Sequence, residues 1–275
     1  MGCRQGVAAL IALLVCAAHP TPAAGAQRLT ASGCSVSNTG YLSELAADYE
    51  RISGVKMFIR GGGSVIGLED LASGASDFAA ACRGRSADDP ADLEFVQVAW
   101  DALVFIVHPS NPVDSIAFAE AAAVYDGSLR DWSRLKGPAG PILVFLQRPT
   151  RGLSGVENSL RSQILRGRQP AAGPYVTELA STGIVEQLVE KTPRGFGASG
   201  FSSARKRAVK MLAIDGVKPT KEAIVERAYL LRRPLYLIVK KPAQPAVRAF
   251  LDFVLSKQGQ DLLGSHGAIS LREMR

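Results

Sequence analysis

Apolar positions recur along this chain with two periods, and the periods alternate. Leu42, Leu45, Ala46 and Tyr49 fall at helical spacing and Gly54 closes the segment, so a helix is predicted over 42–49. A strand is predicted over 55–59, a short helix over 66–71, and strands over 77–81, 93–98 and 102–107. The last of these is unbroken apolar sequence, which suits a strand covered on both faces. Further on, helices are predicted over 118–125 and 128–135, a strand over 142–146, and helices over 156–165 and 184–191. Strands over 195–201, 209–214 and 235–239, helices over 247–255 and 258–263, and a short strand near Ile269 complete the pattern. Repeated strand and helix in this order predict an α/β fold with two lobes. Between them, His108-Pro109-Ser110-Asn111-Pro112 carries two prolines that favour extended backbone, and a hinge is predicted there.

Three places where a predicted strand passes into a helix share one chemistry. The segment 148–157, RPTRGLSGVE, joins small residues, a hydroxyl and two arginines; Gly61-Gly62-Gly63-Ser64 and Ser32-Gly33-Cys34-Ser35 repeat the small residues and hydroxyls. Backbone N–H groups at a helix start, the helix dipole and guanidinium charge are what an anion needs. Each loop alone is ordinary turn chemistry. Three together predict a shared oxyanion cleft.

The first 26 residues stand apart. Arg4 is their only charge, an apolar run covers 7–18, and Ala24-Gly25-Ala26 gives an A-x-A cleavage pattern, so 1–26 reads as a secretory signal peptide. Val15 before Cys16 departs from the small residue that lipid attachment signals carry. Of the four cysteines, removal of 1–26 leaves Cys34 and Cys82, and an even pair in an oxidising compartment favours a disulfide. The formal charge of +7 is modest for 275 residues, and its basic residues are scattered, which argues against nucleic acid as a partner.

Catalysis and metal binding are poorly served. Gly152-Leu153-Ser154-Gly155-Val156 misses the last glycine of a nucleophile elbow, and beyond the leader only His108 and His266 remain as histidines. No metal-ligand spacing, dinucleotide fingerprint or P-loop is present, so neither an enzyme nor a cofactor is expected.

Five stretches carry a family likeness: FIRGGGSVIGLEDLASGASDFAAACR, ALVFIVHPSNPVDSI, VYDGSLRDWSRLKGPAGPILVFLQR, AYLLRRPLYLIVKK and AFLDFVLSKQGQDLLGSHGAISL. Together they resemble the phosphate-binding proteins of ABC importers. The resemblance implies a type II periplasmic binding fold, with crossings near Val107 and Arg232. The first lobe would be 27–107 plus 232–275 and the second 108–231. It implies a monomer in the periplasm that closes over phosphate or a related oxyanion and hands it to a permease in the inner membrane. The implied ligand positions are Ser35 in the first loop, Gly63 and Ser64 in the second, and Ser154, Gly155 and Val156 in the third. Val156 stands where the family has threonine. Thr150 stands where it has arginine, leaving Arg148 or Arg151 to supply the guanidinium. Cys82 stands where relatives present an aspartate or serine, and the resemblance places it beside Cys34 at the cleft. The pair is read as a disulfide, as two thiols for a soft ligand such as arsenite or a metal ion, or as two buried cysteines. These departures leave a second reading, a sensory or accessory binding protein of the same fold with a changed ligand, thiol-dependent or organic.

Overall fold

The computed structural model describes residues 27–148 and 154–274. Strand β1 (Arg28–Gly33) leads into a helix of three parts, Ser35–Ser37, a π turn at Asn38–Leu42 and Ser43–Ser53, together α1. Its inner face buries Tyr41, Leu42, Leu45, Ala46 and Tyr49, and Gly54 ends it in the left-handed conformation, φ 76°. Then follow β2 (Lys56–Gly61), α2 (Ser64–Ser73), β3 (Phe78–Ala81) and β4 (Leu93–Val107). Next come β5 (Ser115–Ile116), α3 (Phe118–Tyr125), β6 (Leu143–Gln147) and α4 (Gly155–Ser159), which continues through a π turn at Leu160–Ile164. The remainder comprises β7 (Val176–Leu179), α5 (Thr182–Lys191), β8 (Gly195–Gly200), α6 (Phe201–Ala204), β9 (Lys210–Met211), β10 (Ala213–Ile214) and α7 (Lys221–Val225). Strand β11 (Arg232–Lys240), helices α8 (Pro245–Leu255) and α9 (Lys257–His266), and β12 (Ile269–Ser270) end the described chain.

The strands line up as β2-β1-β3-β11-β4-β8-β6-β7, with β12 and β9 also on β4. Pairs β1–β2, β1–β3, β6–β8 and β6–β7 are parallel, whereas β11 and β4 run antiparallel to their neighbours. Two α/β halves meet at these two long strands, the arrangement that the resemblance implies. One half has an aromatic core in which Phe250 meets Tyr49 and Phe78, with ring centres 5.0 and 5.1 Å apart. In the other, Phe196 stacks on Phe105 at 5.7 Å and touches Tyr125 and Trp132.

Several predicted elements change on folding. The strands expected over 93–98 and 102–107 are one strand, β4, which pairs with β11 as far as Ala102 and with β8 from Leu103. The strand therefore changes partner between Ala102 and Leu103. His108–Pro112, where a hinge is predicted, forms a turn after the strand, closed by Asn111 N–H to the His108 carbonyl at 2.9 Å and by His108 Nδ1 to the Ser110 hydroxyl at 2.8 Å. The helix expected over 128–135 is reduced to a single 3₁₀ turn, Trp132–Leu135, because Asp131 caps it by accepting the Ser133 N–H. The strand expected over 209–214 is two short strands, β9 on β4 and β10 on β5.

Candidate functional site

The three loops meet at Cys82. Strand β1 must run close beside β3 to bring its end there. Gly33, φ 142°, permits this: a Cβ at this position would lie 2.1 Å from the Ala80 carbonyl oxygen. Cys34 N–H then donates to that same oxygen at 2.8 Å, and Cys34 is disulfide-bonded to Cys82. Ser35, partly exposed, opens α1. The second loop is fixed to the first by Gly63 N–H, which donates to the Gly33 carbonyl at 2.8 Å. Its Ser64, at the start of α2, is buried and its Oγ accepts the Cys82 N–H at 3.4 Å. The third loop comes from the far side of the sheet. Gly155, at the start of α4, lies against Cys82 so closely that a Cβ there would sit 2.2 Å from Sγ and 2.8 Å from the carbonyl.

Ser154 caps α4, its Oγ accepting the Glu157 N–H at 3.0 Å, and Ser154 and Val156 are buried. Ser35, Gly63, Ser64, Cys82, Ser154, Gly155 and Val156 thus form one group. Three helical segments begin in it, and the first N–H groups of a helix have no acceptor within that helix. Cys34 and Cys82, both almost fully buried, carry no thiol proton and no charge while bonded.

Arg148 lies outside this group. Its guanidinium pairs with Glu178 on β7 and reaches the Pro170 carbonyl, and its N–H donates to the Leu179 carbonyl. Arg151 lies outside the described residues. Gln147, the last residue of β6, is a site neighbour absent from the sequence reading. It is buried, its Nε2 would lie 3.6 Å from a Cβ on Gly63, and its Oε1 accepts the Thr182 hydroxyl. The only sequence signal for it is a polar residue closing an apolar strand.

A cavity of about 630 Å³ opens beside Cys82, lined among others by Val65 and Leu68 of α2, Arg83, Arg85, Asp89 and Asn158 of α4. Arg83 does not offer its charge freely, because its two terminal nitrogens both bind Asp89 at 2.8 Å. Burial pushes the Asp89 carboxyl up, but the Arg83 hydrogen bonds and the Ser86 N–H outweigh it and hold the group below its ordinary range. Burial pushes Glu157, in the first turn of α4, above its ordinary range, with Arg148 and Arg161 opposing. No group of His, Cys, Asp and Glu suited to a metal ion occurs among the described residues, and none of their helices is long and apolar enough to cross a membrane.

The chain is similar over most of its length to "Phosphate-binding protein PstS" of Borreliella burgdorferi, 24% identical over 260 residues, covering 90% of this chain and 91% of that protein. The PstS of Bacillus subtilis strain 168 is 27% identical over 253 residues, 90% of this chain and 82% of that one. Among solved structures, a Clostridium perfringens protein described as a phosphate ABC transporter substrate-binding protein with bound phosphate superposes with a TM-score of 0.80. It is 24% identical, and the match covers 89% of this chain and 100% of that one. An ABC-type phosphate transport receptor from Vibrio cholerae gives a TM-score of 0.67 at 22% identity, over 89% of this chain and 100% of that one. Residues 18–258 match the family described as the PBP superfamily domain, to which this chain belongs.

Proposed function

We propose that the chain is an exported solute-binding protein that captures a small oxyanion, phosphate or a close relative, and passes it to an ABC permease without chemical turnover. The observation that carries this reading is the meeting of the Ser35, Ser64 and Ser154–Gly155 loops at Cys82, each at the start of a helical segment and each carrying a hydroxyl. The relatives named phosphate-binding protein support it. The lobes would be 27–107 with 232–275, and 108–231. An anion would be gripped by the N–H groups and hydroxyls and lose its water as the lobes close, which strengthens each contact. The leader 1–26 would direct export to the periplasm, where the disulfide persists.

The second reading, a sensory or accessory protein with a changed ligand, draws on Val156 and Arg148. Val156 is buried and brings no hydroxyl, and Arg148 is paired with Glu178. While the cysteines are bonded, a soft ligand finds no thiolate there.

The deciding experiment is a calorimetric titration of the anion-free protein with phosphate at neutral pH. Micromolar or tighter saturable binding is expected. A folded sample that gives no heat with phosphate or with any other tetrahedral oxyanion moves the assignment to the second reading.

A further inference from the structure

We infer that Gln147 is a ligand-binding residue of this cleft, its side-chain N–H donating to the bound oxyanion from across the second loop. The inference rests on the oxyanion reading above. Gln147 ends β6, and its side chain is buried, with 4% of its surface exposed. Successive side chains of a strand leave on opposite faces. Arg148 accordingly turns away from it, toward Glu178 on β7, and Gln147 is the polar side chain that this strand end presents to the second loop.

A carboxamide has an acceptor oxygen and two N–H donors, and its surroundings decide which way round it stands. Oε1 accepts the hydroxyl of Thr182, the first residue of α5, and Nε2 donates one proton to the Ala180 carbonyl at 3.5 Å. Turned over, the amide would set Oε1 against the Ala180 carbonyl oxygen, two acceptors with no proton between them. Thr182 is itself buried, so its hydroxyl holds the amide in one orientation. The second Nε2 proton finds no hydrogen-bond acceptor among the described residues.

Nε2 faces Gly63. It would lie 3.6 Å from a Cβ there, and Gly63, φ 108°, carries no side chain to fill the space between them. The Gly63 carbonyl points along α2, to the Gly67 N–H at 3.1 Å. Ser64 follows Gly63 and opens α2, so an oxyanion oxygen held at the start of that helix comes within reach of the amide. A buried N–H left unpaired is costly, and an anion that accepts it removes that penalty and gains a charge-assisted hydrogen bond. Gln147 thus adds a neutral donor to the helix starts and hydroxyls of the three loops, and Thr182 positions it.

The test is a calorimetric titration of the purified, anion-free protein and its Gln147→Met variant with phosphate, or with whichever tetrahedral oxyanion the natural chain binds. Methionine keeps the length of the side chain and brings no donor. Binding is expected to weaken about tenfold to a hundredfold, the range for a hydrogen bond to a charged group. A second measurement separates binding from mere support of α5. In nuclear magnetic resonance spectra of the isotope-labelled natural chain, with the Gln147 side-chain amide assigned through bonds, one of its two proton signals is expected to move downfield as the anion is added. Affinity in Gln147→Met within about threefold of the natural chain, or amide signals that the anion leaves in place, overturns the inference and leaves the oxyanion reading standing. No binding of any tetrahedral oxyanion by the natural chain overturns both. If Gln147→Met does not fold, the amide signals of the natural chain decide alone.

Discussion

Gly155 has no room for a side chain on its Cys82 side. A Cβ there would lie 2.2 Å from a sulfur that the disulfide holds in place, and 2.8 Å from the Cys82 carbonyl, so the clash cannot be relieved by a rotamer change. Gly155→Ala is expected to push the third loop off Cys82 and weaken oxyanion binding about tenfold or more, with overpacking of about 1–3 kcal/mol at the contact. Titration calorimetry beside thermal unfolding separates the two effects. Unchanged affinity would show that the loops already stand further apart when the anion is bound. At this scale the glycines and hydroxyls of the three loops were legible, because tight passage between strand and helix calls for them in any α/β chain. The role of Cys82 as the point where all three loops touch was not, since it depends on Ser64, Cys34 and Gly155 arriving from distant parts of the sequence. Nor was the pairing of Arg148 with Glu178, thirty residues on, for the same reason.

Strand β4 shows why element boundaries were harder to read than element types. Asp101 breaks an otherwise apolar run, so the sequence divides there into two predicted strands. In the fold Asp101 is fully buried and pairs with Arg233, also buried, on the adjacent strand β11, at 2.8 and 3.1 Å. The charge that looked like a break is the pin between the two long strands where they pass from one half to the other. Removing one partner of a buried pair leaves the other without compensation. Arg233→Met is therefore expected to cost about 3–5 kcal/mol in denaturant unfolding, and a loss below about 1 kcal/mol would mean that water replaces the guanidinium. Helix α5 carries a second buried carboxylate with a different signature. Burial pushes Glu186 above its ordinary range, against the Ser199 hydroxyl and Arg207 Nε at 3.2 Å. A carboxyl raised on folding favours the native state most below its unfolded value, and that contribution is lost as pH rises through the folded value. Glu186→Gln is expected to flatten the fall in stability from mildly acidic to neutral pH, seen in melting temperatures across that range. An unaltered profile would assign the fall to other groups.

Across the whole molecule, the arrangement of two α/β halves was legible because strand and helix periods alternate almost throughout. The contacts that hold the halves together were not. They join α1 of one half to α6 and the residues after it in the other, a pairing with no local pattern. Gly40 sits on Ser202 so tightly that a Cβ would meet its Oγ at 2.5 Å and its Cβ at 2.8 Å, and Lys206 pairs with Glu44 nearby. Interfaces of this kind move as rigid bodies about the strands that cross between them, and a ligand closes them only through contacts made in the closed form. A side chain at Gly40 would act as a wedge there, leaving the core of each half intact. Gly40→Val is expected to raise the radius of gyration in solution scattering and to weaken oxyanion binding, while phosphate added to the natural chain lowers the radius. If the variant scatters like the natural chain and binds as well, α1 and α6 do not part during capture, and the opening lies on the third-loop side of the cleft, at Gly155 and Cys82.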